Sequence, residues 1–183
     1  LSYLDALTGL GNRRHYDKEL RKLDRESYYP ITLIMADVNG LKLANDGFGH
    51  EARDALLLKF AAVLKAECPD DACIARVGGD EFLILLSKTD GKKAKILIDR
   101  LNNLNSKQKV NQLVLSYALG FSVKTHATQN MEDIYREAEE RMYRHKATNN
   151  SRLRSQSVDL ILTSLFEKFQ AEKLHAKRVS ILC

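Results

Sequence analysis

The stretch ARVGGDEFLILL, Ala75 to Leu86, sets two glycines and two acids between runs of apolar, strand-forming residues. Two short apolar runs joined by a glycine pair read as a β-hairpin. A hairpin turn needs only the glycines, so the adjacent carboxylates Asp80 and Glu81 require a reason of their own. On these residues alone two readings compete: exposed turn residues, or ligands of a metal ion.

Upstream, ITLIMADV (Ile31 to Val38) is short, apolar and rich in β-branched residues. It reads as a buried central strand with Pro30 at its start. It carries one acid, Asp37, at its end, and an acid at the end of a buried strand needs a partner. If this strand neighbours the one that starts at Glu81, three carboxyl groups meet at one sheet edge. Carboxylates brought together repel, and each pKa rises. A divalent cation relieves that repulsion. Magnesium takes oxygen ligands, usually one or two carboxylates plus phosphate oxygens, and metal ions about 4 Å apart suit in-line phosphoryl transfer.

The segment NGLKLANDGFGH (Asn39 to His50) holds three glycines and reads as a turn-rich connection with room for one helical turn inside. The N–H groups of Gly40 and Leu41 are placed to cradle phosphates, and Lys42 adds a compact positive charge. Helical spacing follows over Ala52, Leu56, Phe60, Val63 and Leu64 until CPDDA breaks it. Asn12 is set to cap a helix over the charged stretch that follows it. KKAKILIDRLNNL reads as an amphipathic helix and QLVLSYALGFSV as one long strand. In MEDIYREAEERMYRHK the residues Ile134, Ala138 and Met142 share one helical face. The order of elements predicts an α+β fold, a mostly antiparallel sheet flanked by helices, close to the ferredoxin-like pattern.

Composition is that of an ordinary globular chain of 183 residues with net charge +5. That charge fits either a solvated surface or attraction to an anion such as a nucleotide. Without a basic stripe interleaved with aromatics, nucleic acid is not an expected partner. No apolar run approaches the ~20 residues of a membrane span. The three cysteines, Cys68, Cys73 and Cys183, form no paired spacing, which favours a reducing, cytoplasmic setting over disulfides or zinc. The absence of an initial Met suggests a piece of a longer protein. His15, His126 and His145 read as surface residues.

Three segments in register, DALTGLGNRR, ADVNGLKLANDGFGH and ARVGGDEFLIL, resemble the GGDEF family of diguanylate cyclases. SYALGFSV and AEERMYRHKATNNSR are similar to its later elements, so the resemblance runs over about residues 3 to 154. It implies a fold similar to the palm of adenylyl cyclases and polymerases. It also implies condensation of two GTP into cyclic di-GMP with loss of two pyrophosphates. Each domain would hold one GTP, so a transient homodimer is required. By position, Asp37, Asp80 and the carbonyl of Val38 match ligands of Mg2+ (or Mn2+). Glu81 matches the acid that assists the metals or deprotonates the attacking hydroxyl. Gly40, Leu41 and Lys42 match the phosphate-binding stretch, Gly78 and Gly79 the turn that gives the nucleotide room, and Asn45 and Asp54 the guanine readers. His50 is a further candidate at the loop-to-helix junction. Arg136 matches a basic residue reaching the phosphates.

Some positions depart from the family pattern. Asn39 replaces a second Asp, Arg53 a Gly, Val77 a Tyr, Ala118 a Ser, and Glu140 an Arg. Pro69 and Ala72 stand where an Arg-x-x-Asp product-binding site would be, so that inhibitory site is not expected. Arg53 and Glu140 keep open a second reading, a weakly active or inactive GTP-binding domain that regulates an attached module. The tail, EKLHAKRVSILC, is similar to the opening helix of HD-type phosphohydrolases, with His175 at the first metal histidine. An ordinary amphipathic helix explains the same residues. The division expected is therefore 1–154 as the cyclase domain and 155–183 as a helical linker leading into a truncated HD-type domain.

Overall fold

The computed structural model describes residues 2–148 and the isolated positions 166 and 169. The expectations for 155–183, including His175, otherwise lie outside the described residues. Asn12 caps α1 (Arg13–Leu23) by accepting a hydrogen bond from the His15 N–H. Then follow β1 (Ile31–Val38), α2 (Leu41–Phe48), α3 (His50–Glu67), β2 (Cys73–Arg76), β3 (Glu81–Leu86) and α4 (Gly91–Leu104). The short strands β4 (Lys109–Val110) and β5 (Leu113–Val114) precede β6 (Tyr117–Lys124). A helix over 131–148, α5, comes last.

The main sheet has the order β2-β3-β1-β6 with every neighbouring pair antiparallel. This is the ferredoxin-like arrangement, in which β1 lies centrally between the third and last strands although the hairpin comes later in the chain. Helices cover both faces, which is why all eight residues of β1 are buried and why its sequence shows no polar alternation. Ile34, Ala36 and Val38 pack with Phe60 of α3 and Leu97 and Leu101 of α4. Ile31, Leu33 and Met35 face the other way, toward Tyr16 of α1 and Ile134, Ala138 and Met142 of α5. Side chains alternate along a strand, so Asp37 falls on the α5 side. Phe60 sits edge-on to Phe82 at 5.0 Å and tilted against Tyr117 at 4.5 Å. Each such aromatic pair adds about 0.5–1.5 kcal/mol beyond its burial.

Three local expectations need correction. The segment after Asn39 is not a loop: α2 has two turns, because Gly40 at φ 74° swings the chain and lets Leu41 and Ala44 bury on one face. The predicted long strand is broken at Leu115–Ser116. Asn111 turns at φ 56°, β5 folds back on β4, and only Tyr117–Lys124 joins the main sheet. The glycine pair is not a two-residue turn either. Four residues, Val77 to Asp80, separate β2 from β3, and neither Gly78 nor Gly79 has a positive φ. Among the described residues no helix is long and apolar enough to cross a membrane.

Candidate active site

The pairing of β1 with β3 puts Asp37 directly opposite Glu81, and the Val38 N–H donates to the Asp80 carbonyl at 3.0 Å. Antiparallel partners project to the same face, so the two side chains stand together with Asp80 at the adjoining turn. Asp37 is buried while Asp80 and Glu81 are partly open. Burial drives the Asp37 pKa above the ordinary carboxylate value. Lys146 works against that rise, and the negative charges of Asp80 and Glu81 add to it. Lys146, near the end of α5, places Nζ 2.7 Å from Asp37 Oδ1.

The opposite wall is built from α2 and α3. Leu41, Lys42, Asn45, His50 and Arg53 line an open pocket of about 280 Å³ whose remaining sides are Gly79 and Asp80. Asn45 Oδ1 is buried without a hydrogen-bond partner, an acceptor that a ligand would satisfy. Asp54 follows Arg53 on α3, and Arg53 Nη1 lies 3.9 Å from Asp54 Oδ1. The glycine turn is held from behind. Arg76 donates to the Gly79 carbonyl at 2.7 Å and to both oxygens of Asp5 at 3.3 Å. Gly78 leaves room for the Glu81 carboxylate: a Cβ there would meet Glu81 Oε2 at 2.9 Å and displace that side-chain end.

A family model described as the diguanylate cyclase GGDEF domain matches residues 2–152. The chain belongs to the GGDEF family. The signaling protein YkoW of Bacillus subtilis is 32% identical over 168 residues, 87% of this chain and 21% of YkoW. The diguanylate cyclase DgcS of Shewanella oneidensis is 28% identical over 151 residues, 80% of this chain and 50% of DgcS. The chain thus spans half or less of these curated relatives. The crystal structure of the FimX GGDEF domain from Pseudomonas aeruginosa superposes with a TM-score of 0.74 at 21% identity. It covers 81% of this chain and 96% of that one. At that identity the likeness speaks for the fold.

In this GGDEF domain the fold gathers most of the residues expected from the sequence. Leu41, Lys42, Asn45, His50, Gly79 and Asp80 share one pocket. Asp37, Val38 and Glu81 adjoin it through the strand register, Gly40 is the N-cap of α2, and Asp54 stands beside Arg53. Arg136 is not among them. It is exposed, pairs with Asp133 at 2.5 Å, and precedes Lys146 by ten residues, ~15 Å along a helix that rises 1.5 Å per residue. Glu140 is paired with Arg144 at 3.6 Å. Lys146 escaped the sequence reading, yet it continues the four-residue spacing Ile134, Ala138, Met142 onto the same helix face. His145 is not a plain surface residue: its Nδ1 accepts the Leu119 N–H at 2.9 Å, and burial lowers its pKa.

The donor set fits a hard divalent cation. Among the described residues no three His, Cys, Asp or Glu side chains form a ready-made metal cage. Magnesium does not need one, since it commonly takes one or two carboxylates and completes its shell with water and substrate phosphate. Asp37 already draws a cation, the Lys146 ammonium, into this position. Asp37, Asp80, Glu81 and the Val38 carbonyl are the groups here that could hold such a cation.

Proposed function

We propose that this domain is a diguanylate cyclase that condenses two GTP into cyclic di-GMP. The observation that carries this reading is the placement of Asp37, Asp80 and Glu81 at the edge of a pocket whose far wall bears Lys42 and Asn45, with Asp54 beside it. Asp54 accepts from guanine N1–H and the 2-amino group, a donor pair that adenine lacks, and Asn45 supplies a further polar contact. The N–H groups at Gly40 and Leu41 and the charge of Lys42 bind the phosphates. Gly78 and Gly79 keep the turn free of side chains where the nucleotide lies.

Each domain holds one GTP, and two domains face each other. The 3′-hydroxyl of one GTP attacks the α-phosphorus of the other. A phosphodiester P–O bond forms, the bond to pyrophosphate breaks, and Glu81 accepts the hydroxyl proton. The same step in the opposite sense closes the ring, releasing two pyrophosphates in all. Bound Mg2+, or Mn2+, supplies neutralisation of the charge that builds on the phosphoryl oxygens.

The test is incubation with GTP and Mg2+ at rising protein concentration. Cyclic di-GMP should form with a specific activity that increases with concentration, as a transient homodimer requires. A second reading, a GTP-binding domain that regulates an attached module such as an HD-type phosphodiesterase, is favoured by the placement of Arg53 against Asp54 and by the exposed Glu140. GTP binding by a confirmed dimer without product would establish it. Pro69 and Ala72 provide no cationic site for cyclic di-GMP, and the neighbouring Asp70 and Asp71 are exposed acids. Product should therefore not inhibit through that site. Tight cyclic di-GMP binding, lost on altering Pro69, Asp70 and Asp71, would refute this.

A further inference from the structure

We propose that Arg53 is a base-specificity residue that donates to guanine O6, completing the reading begun by Asp54; this rests on the guanine-nucleotide reading above. The pocket wall at this point is Arg53 itself. Its Nη1 stands 3.9 Å from Asp54 Oδ1, and its Nη2 lies 4.0 Å from where a Cβ on Gly79 would be. The guanidinium therefore lies between the acid on α3 and the glycine turn, and a base lodged between those walls meets it.

At 3.9 Å the two groups attract but do not hydrogen-bond. Among the described residues neither side chain makes a hydrogen bond, so the donors of Arg53 and the acceptors of Asp54 are both available to a ligand. Their adjacency matches one edge of guanine. That edge presents two donors, the 2-amino group and N1–H, followed by one acceptor, O6. A carboxylate covering the two donors leaves a neighbouring guanidinium facing the acceptor, the same oxygen that arginine favours when it reads guanine in nucleic acids. Adenine offers the reverse, an acceptor at N1 and a donor at its 6-amino group, and so is mismatched to both residues. A base that offers neither match forgoes charge-assisted hydrogen bonds to both of these partly exposed residues. Asn45 carries an amide donor as well as the orphaned acceptor Oδ1, so the assignment of O6 to Arg53 rests on the place of the guanidinium beside Asp54 and the glycine turn.

The competing role for Arg53 is that of a plug, neutralising Asp54 and weakening guanine binding. The two roles have opposite consequences for an Arg53→Ala variant. Binding is measured by competition with 3′-deoxy-triphosphates, which carry no attacking hydroxyl and so report affinity without turnover. The bases are guanine, 6-thioguanine, which replaces O6 by a larger and weaker acceptor, and hypoxanthine, which removes only the 2-amino donor. In the native protein 6-thioguanine should bind about tenfold more weakly than guanine, the scale of one charge-assisted hydrogen bond. In Arg53→Ala, and in the length-preserving Arg53→Met, that gap should close while the guanine-to-hypoxanthine gap persists. A gap for 6-thioguanine that survives in both variants overturns the proposal. So does guanine binding that tightens when Arg53 is removed. If no guanine nucleotide binds to the native protein or to either variant, the cyclase reading itself fails, which is a different result from a change confined to Arg53.

Discussion

Lys146 Nζ lies 2.7 Å from Asp37 Oδ1 although 109 residues separate them in the chain. It is the principal positive charge on a carboxylate that also faces Asp80 and Glu81. Breaking one side of a buried ion pair strands the other charge, and Asp37 is the more buried partner, with its side chain 7% exposed against 28% for Lys146. Lys146→Met should therefore cost about 1–3 kcal/mol in urea unfolding, less than a fully buried pair. Adding Asp37→Asn to that variant should recover most of the loss, which a double-mutant cycle measures. A double-variant loss equal to the sum of the two single-variant losses would show that the pair is not coupled.

The same contact bears on metal binding. A divalent cation at Asp37 competes with the ammonium of Lys146. Without nucleotide, Mg2+ should raise the Tm of Lys146→Met more than that of the native protein. Identical Mg2+ shifts would place the cation away from Asp37.

Gly78→Ala separates folding from chemistry. The added Cβ meets Glu81 Oε2 at 2.9 Å, the movable end of a side chain, so the fold should lose less than about 1 kcal/mol. The displaced carboxylate should lower cyclase activity at least tenfold, on the order of what misplacing a catalytic group costs. Unchanged activity would remove Glu81 from the reacting centre.

Gly120→Ala acts from a distance. A Cβ on Gly120 would lie 2.2 Å from the Ala138 carbonyl oxygen and from the Met142 N, backbone atoms of α5 that cannot step aside. The helix must move bodily and carry Lys146 with it. A stability loss of about 3 kcal/mol or more is expected, read by thermal or urea unfolding. A well-folded Gly120→Ala with native stability would contradict the close packing of α5 on β6.

The glycine turn should also show acid sensitivity through Asp5. Burial works to raise the Asp5 pKa, but hydrogen bonds from Thr8 and the charge of Arg76 hold it below the usual 3.8. A depressed carboxylate stabilises the fold above its unfolded pKa, and that contribution is lost as pH falls through the lower folded value. Native protein should be more stable than Asp5→Asn at neutral pH, and the difference should shrink as pH falls below about 4. A difference that is constant with pH would mean that the carboxylate charge plays no part in holding Arg76 against Gly79.

Much of this molecule is legible in the chain because the signals are local. Alternating or continuous apolar runs mark β1 and β3, the spacing of Ile134, Ala138 and Met142 marks α5, and Asn12 announces α1. The acids Asp37, Asp80 and Glu81 carry their chemistry on their face, since carboxylates beside glycine-rich turns suit metals and phosphates. Local signals erred where burial overrode turn composition: α2 forms between the capping glycines Gly40 and Gly49, and through Gly47, because Leu41 and Ala44 find the core, and the stretch before Tyr117 folds back as β4 and β5. What only the tertiary structure decided are the relations between distant segments. The order β2-β3-β1-β6 sets Asp37 opposite Glu81, and the packing of α5 on Gly120 brings Lys146 rather than Arg136 to Asp37. The close approach of α3 to the glycine turn turns Arg53 from a surface charge into a pocket wall. Sequence spacing specifies which face of an element a residue occupies; which other element meets that face is set by how the helices cover the sheet.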